Sequence, residues 1–163
     1  MKSEKDAITA TSLDAIDLRL LELLQADAAR TNQALAEAAH VSPATALRRV
    51  RRLVEAGLIE RQVALLGPAL SQAGLTVLSE VSLDAQGAEH LEAFKRRAVA
   101  EDAVQQCYRV SPGPDFVLVL QVPDMAAWQA LVARLFTQDA NVRNVRSYFS
   151  VKRAKFDPRV RRA

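Results

Sequence analysis

The dipeptide Ser42-Pro43 constrains the 163-residue sequence more than any other feature. A serine hydroxyl accepts a hydrogen bond from the free amides at a helix start, and proline at the first helical position loses no bond while its ring presets φ. A helix must begin there and run to about Ala56, where Gly57 supplies the left-handed residue that commonly ends helices. Upstream, Leu13, Ile16, Leu20, Leu21, Leu23 and Leu24 recur at three- and four-residue intervals. This spacing predicts a helix ending near Asp27, with Ser12 as its cap and Asp14 and Asp17 suited to its N-terminus. Asn32 is placed to cap a short middle helix carrying Leu35, Ala36 and Ala39 on one face. His40 occupies the turn before Ser42, where a positive φ is favoured and histidine is among the residues that tolerate one.

Two short helices joined by a tight turn form a helix-turn-helix, whose second helix lies in the major groove of DNA. Helical periodicity sends Ala46, Leu47, Val50, Leu53 and Val54 toward the core and Thr45, Arg48 and Arg52 to the opposite face, with Arg49 beside them. Arginine pairs bidentately with guanine O6 and N7, and threonine can meet a thymine methyl, whereas Arg51 and Arg52 suit phosphates. Ser42 and the free amides of the helix start suit a phosphate oxygen. The candidate DNA-binding set is Ser42, Ala44, Thr45, Arg48, Arg49, Arg51 and Arg52. Taken alone, an arginine run is more often a solvated helix face; its place on the free side of a capped second helix reverses that reading.

Charge distribution agrees. The net charge of +3 argues little, but four of the five positions 48–52 are arginine, within a first sixty residues holding eight basic and nine acidic side chains. Residues 152–163 form a second basic cluster, with Lys152, Arg153, Lys155, Arg159, Arg161 and Arg162 against Asp157. Residues 157–163 read as a basic tail, which either adds nonspecific DNA affinity, contacts a neighbouring subunit or is simply solvated. Residues 1–12 are polar and aperiodic and read as a mobile arm.

Past Gly57 the pattern changes. Leu58-Ile59 and Val63 to Leu66 suggest short extended pieces, and Gly67-Pro68 breaks the chain, so residues 61–74 are expected to be a wing and linker after a DNA-binding domain over 13–60. Residues 75–156 then alternate strand, helix, strand, strand, helix, strand. The strands are expected at Leu75–Leu83, Val104–Val110, Phe116–Val122 and Val142–Val151. The helices are expected at Ala88–Ala100, carrying Leu91, Phe94 and Ala98, and from Asp124 to Phe136, with Trp128, Leu131, Val132 and Leu135 inward. Pro112-Gly113-Pro114-Asp115 is a turn. The order βαββαβ is the ferredoxin-like arrangement, so the fold class is α+β: a winged helix-turn-helix followed by a ferredoxin-like domain. Because Phe116 to Leu120 are apolar in succession, both faces of that strand are apolar, and dimerisation through the open sheet face is expected.

Several classes are excluded. No apolar stretch reaches the roughly 18 to 20 residues of a membrane span, and the N-terminal segment lacks a signal-peptide core, so a cytosolic protein without membrane association is expected. Cys107 is the sole cysteine and reads as an inert thiol, which excludes an internal disulfide. His40 and His90 share no metal-ligand spacing, and no cofactor, metal or catalytic group is expected. The aromatic residues, Tyr108, Trp128 and Tyr148 among them, are spread over different elements and read as packing rather than a base-stacking platform.

The run from Leu13 to Leu66 resembles the DNA-binding half of the leucine-responsive regulatory protein/AsnC family, the feast/famine bacterial transcription regulators. The resemblance is carried in order by Leu13-Asp14, Ile16-Asp17, Leu35-Ala36, Val41-Ser42-Pro43, Leu47-Arg48-Arg49-Val50, Arg52-Leu53 and Gly57-Leu58-Ile59, and spans about residues 13–156. It implies an ACT-like sensing domain, dimers that often assemble four together as octamers, and an amino-acid effector held between dimers. It also implies two effector segments. The family's Ser/Thr-Gly-x-x-Asp loop reads here Ser111-Pro112-Gly113-Pro114-Asp115, with proline where glycine is usual, and its Thr-x-Thr/Ser segment reads Val145-Arg146-Ser147. Ser111, Gly113, Asp115, Arg146, Ser147 and Tyr148 are therefore the candidate effector residues, with Asp115 for an α-ammonium and Gly113 as a backbone donor. Two prolines stiffen that loop and remove amide donors; the local alternative for Asp115 is a turn cap beside a strand. The expected function is sequence-specific regulation of transcription from a pseudo-palindromic site in double-stranded DNA, under control of an amino acid. The alternative is a ligand-independent architectural protein of the same fold that wraps DNA.

Overall fold

The computed structural model of the protein describes residues 13–160. Ser12, the arm over 1–12 and Arg161 and Arg162 lie outside the described residues. The chain divides into two compact units, one running up to Leu65 and resuming at Phe156, the other spanning Leu66–Lys155.

The first unit holds α1 (Ala15–Ala26), α2 (Asn32–Ala38) and α3 (Pro43–Glu55). Asp14, not Ser12, caps α1: its carboxylate accepts from the Asp17 amide at 2.9 Å, while Asp17 reaches back to the Asp14 amide. This reciprocal capping box satisfies two orphan donors, which a cap two residues earlier could not do. Thr31, rather than Asn32, caps α2 by accepting from the Ala34 amide. Asn32 instead begins α2 and donates from Nδ2 to the Pro43 carbonyl at 2.9 Å, pinning the start of α2 to the start of α3. Ser42 caps α3 as expected. Both α2 and α3 end in the same double hydrogen bond. Val41 N–H donates to Ala36 and His40 N–H to Glu37, and Leu58 N–H donates to Leu53 and Gly57 N–H to Val54. The motif needs a left-handed residue, supplied by His40 at φ 55° and by Gly57 at φ 72°. Leu20, Leu23, Leu24, Leu35, Ala36, Ala39 and Ala46 form the shared core.

No strand forms over residues 58–66. The extended pieces expected there do not pair as strands for a local reason: no Gly, Pro, Asn or Asp lies between Leu58 and Leu66 to fold the segment back on itself. Val63, Leu65 and Leu66 are consequently exposed. Gly67-Pro68, expected only to break the chain, starts the short helix α4 (Pro68–Ser71). Of the expected basic tail, residues 158–160 lie against the first unit. Gln25 and Val160 exchange two hydrogen bonds, and Pro158, Arg159 and Val160 line a groove of about 590 Å³ with Leu21, Leu24 and Ile59.

The second unit holds β1 (Leu75–Leu83), α5 (Ala88–Ala100), β2 (Val104–Arg109), β3 (Phe116–Val122), α6 (Met125–Leu131) and β4 (Val142–Phe149). The antiparallel order β2-β3-β1-β4 is that of the ferredoxin-like arrangement. The register places Ser79 opposite both Leu118 and Ser147. One sheet face, with Val77, Val81, Leu83, Phe116, Leu118 and Leu120, packs on Leu91, Phe94 and Ala98 of α5 and on Trp128 and Leu131 of α6. Strand β3 alternates between buried and half-buried residues, so Val117 and Val119 lie on the opposite face. Leu78, Tyr108 and Tyr148 remain exposed.

Two local departures shape this unit. Past Leu131 the chain winds as a π-helix over Val132–Thr137, whose wider turn brings the adjacent Leu135 and Phe136 both into the core. At Gly74, φ is 87° and a Cβ would stand 2.4 Å from the Val122 carbonyl oxygen, so only glycine can lead into β1.

Candidate nucleic-acid interface

Helix α3 is held against α1 by charge as well as by packing. Asp17 is 1% exposed. Its carboxylate accepts from Arg49 Nη1 at 2.8 Å and from Arg52 Nη2 at 2.6 Å, while Arg49 Nη1 also reaches Asp14 at 2.7 Å. Arg49 is itself only 16% exposed, and the Nε atoms of both arginines are buried without a partner. A buried carboxylate needs such pairing, because an unpaired ion in a low dielectric is far costlier than the pair. Arg49 and Arg52, assigned from sequence to DNA, therefore serve to fasten α3.

The Asp14 carboxyl is held below its ordinary value, first by the Asp17 amide and then by Arg49, and the same pairing raises Arg49. Its contribution to stability is complete above the unfolded carboxylate value and is lost as pH falls through the lowered folded one. Asp14→Asn should thus flatten the acid side of the stability curve, read from urea midpoints between about pH 2 and 5. A variant curve parallel to the wild type would remove Asp14 from this account.

The free face of α3 differs from the one helical periodicity indicated. Ala44, Leu47, Arg48, Arg51, Val54 and Glu55 are exposed, whereas Ala46 and Leu53 are buried. Leu47 and Val54, expected in the core, are 50% and 49% exposed. The reason is the Asp17 clamp, which draws Arg49 and Arg52 inward and turns the opposite flank outward. Thr45 is half-buried, and its hydroxyl lies 2.9 Å from that of Ser42 inside the cap. Of the seven residues expected at DNA, the structure leaves Ser42, Ala44, Arg48 and Arg51 exposed at the start and along the outer face of α3. Sequence periodicity missed Leu47. An apolar side chain flanked by an arginine run was its only signal.

The effector candidates do not converge. In the β2–β3 turn the Ser111–Pro112 peptide is cis and Gly113 takes φ 122°. Asp115 accepts from the Leu83 amide at 2.7 Å, with Gln86 at 3.4 Å, so its carboxylate caps the end of β1. Ser147 lies 2.8 Å, oxygen to oxygen, from the fully buried Ser79, under the helices. Arg146 alternates to the open face, where it pairs with Glu80 at 3.7 Å. Among the described residues no hydrogen bond or ion pair joins the turn to Arg146, Ser147 or Tyr148. Cys107 is half-buried, and burial pushes its thiol up, which keeps it protonated and unreactive. Among the described residues no helix is long and apolar enough to cross a membrane, and no group of ligating side chains forms a metal site.

A capped recognition helix clamped to its neighbours, joined to a ferredoxin-like unit, defines a DNA-binding transcription regulator with a separate ligand-binding half. Residues 13–60 match the winged helix-turn-helix DNA-binding family, and residues 76–160 match the Lrp/AsnC ligand binding domain. The chain belongs to the Lrp/AsnC family of transcription regulators. It is 34% identical over 146 residues to an HTH-type transcriptional regulator of Haemophilus influenzae, covering 90% of this chain and 87% of the relative. It is 33% identical over 143 residues to the leucine-responsive regulatory protein of Escherichia coli, covering 88% and 87%. Among solved structures, an AsnC family regulator from Agrobacterium tumefaciens superposes with a TM-score of 0.82 at 29% identity, over 91% of this chain and 97% of that one. A Neisseria meningitidis transcriptional regulator in complex with L-Met superposes equally well, at 28% identity over 91% and 96%.

Proposed function

We propose that this regulator reads a specific DNA sequence through α3, as a homodimer on a pseudo-palindromic site, and that an amino acid modulates its binding. The observation that carries the DNA reading is the outer face of α3, where Arg48 and Arg51 stand free while the neighbouring arginines are consumed by Asp17. Arg48 lies in the N-terminal half of the recognition helix, the part that meets base edges, and is assigned to a guanine. Arg51 is assigned to a phosphate, and Ser42 with the first amides of α3 to another. The exposed Val63, Leu65 and Leu66 and the apolar open face of the sheet support a partner copy covering both. Whether dimers assemble further, as octamers, is read from the particle mass in solution.

Arg48→Ala should lower the ratio of specific to nonspecific affinity by about 1 to 3 kcal/mol, measured by titration on cognate and scrambled duplexes. An unchanged ratio would sink the assignment of Arg48.

The amino-acid effector is supported by the matched ligand-binding domain and by the relative solved with L-Met. A second reading, the ligand-independent architectural protein, is favoured by two contacts: Asp115 is committed to the Leu83 amide and Ser147 to Ser79. A gel shift on the DNA upstream of the protein's own gene, against random DNA, with and without the twenty amino acids, separates the two. Selective retardation that changes with the mixture supports sensing. Selective retardation that ignores it supports the architectural reading.

A further inference from the structure

We propose that Leu47 is a specificity-determining residue that reads thymine methyl groups, with Ala44 one turn earlier completing an apolar strip. The inference rests on the reading of α3 as the recognition helix. A single exposed leucine on a protein surface means little, since folded proteins expose much apolar area. The position of this one is what carries meaning.

Leu47 lies outside the core cluster of its unit, which includes its neighbours Ala46 and Val50. It stands on the outer face between Ala44 and Arg51, beside Arg48. Ala44 and Leu47 are three residues apart and so adjacent on one side of the helix. Both sit in its N-terminal half, the part that approaches base edges. Val54 shares the exposure but lies in the last turn. The major groove offers one apolar group, the thymine C5 methyl, and a branched aliphatic side chain buries it without leaving a donor or acceptor unpaired. Thr45 is the residue the sequence suggests for this contact, but it is half-buried and its hydroxyl is held in the Ser42 cap. The methyl-reading role therefore passes from Thr45 to Leu47, and the half-site must place a thymine close to the guanine assigned to Arg48.

Replacing thymine by uracil deletes only that methyl. The full-length protein would first select its preferred duplex from a random pool, and each thymine would then be exchanged for uracil singly. Wild type should lose about fourfold in affinity at one or two thymines per half-site, the worth of one buried methyl group. Leu47→Ala should lose that sensitivity while keeping the penalty for changing the guanine read by Arg48. Leu47→Gln, similar in reach but polar, guards against a truncation effect and should equally abolish the thymine preference; circular dichroism checks that both variants fold. A thymine-to-uracil profile that is flat in wild type, or unchanged in both variants, overturns the inference and leaves the regulator reading standing. Failure of the pool to enrich any sequence overturns both together.

Discussion

Asp17→Asn is expected to destabilise the DNA-binding unit by about 3 kcal/mol, the lower end of the range for breaking a buried ion pair. The lower end applies because Arg52 is 40% exposed and can recover part of its hydration, whereas Arg49 cannot. Asparagine keeps the shape of the side chain and one acceptor, so the capping of α1 survives in part, but Arg52 loses its counter-charge and Arg49 is left with Asp14 alone. The variant should also bind DNA with less specificity and a steeper dependence on salt, since Arg49 and Arg52 are released toward phosphates while α3 loses its fixed tilt. Urea unfolding followed by circular dichroism and affinity measured across a salt series test the two halves. A wild-type unfolding midpoint would show that packing of α3 on Leu20 and Leu24 suffices without the clamp.

Phe116→Ala should cost the second unit about 3 to 5 kcal/mol, the range for truncating a buried phenylalanine. Phe116 is 1% exposed, its ring lies 5.0 Å from that of Phe94, and it opens the strand alternation that fills the core. It also follows Asp115 directly, so the cavity loosens the carboxylate that caps β1. The single tryptophan, Trp128, is buried in this unit, against Phe136 and Phe149. Its fluorescence therefore follows residues 66–155 alone, while circular dichroism also weighs α1, α2 and α3. The expected result is a fluorescence midpoint that drops well below the one from circular dichroism, a failure of two-state behaviour. Coincident midpoints near the wild-type value would contradict it.

Much of this protein was legible in its sequence because the signals are local. Ser42-Pro43 determines where α3 starts, Gly57 where it stops, and His40 supplies the one non-glycine positive φ among the described residues. The strands Leu75–Leu83 and Phe116–Val122 and the helix Ala88–Ala100 stand at their expected limits, because each is bounded by its own turn or cap residues. The local alternative for Asp115, a turn cap beside a strand, does not foresee its partner, because the carboxylate accepts from the Leu83 amide 32 residues earlier in the chain.

What the tertiary structure alone decided is which side of each element faces inward. Helical spacing separates two faces of α3 but cannot say which flank a neighbour will claim, and the neighbour is Asp17, 32 residues before Arg49 and 35 before Arg52. The cost of leaving that carboxylate unpaired outweighs the gain from burying Leu47 and Val54, so two arginines turn in and two apolar side chains turn out. The same holds near the chain's end, where composition leaves open DNA, a neighbouring subunit or solvent for the basic residues, and the reciprocal bonds of Gln25 and Val160 hold Val160 on α1. Periodicity and caps are properties of a segment; the partner of a buried charge or an unpaired backbone group is set by whichever distant residue the fold brings within reach.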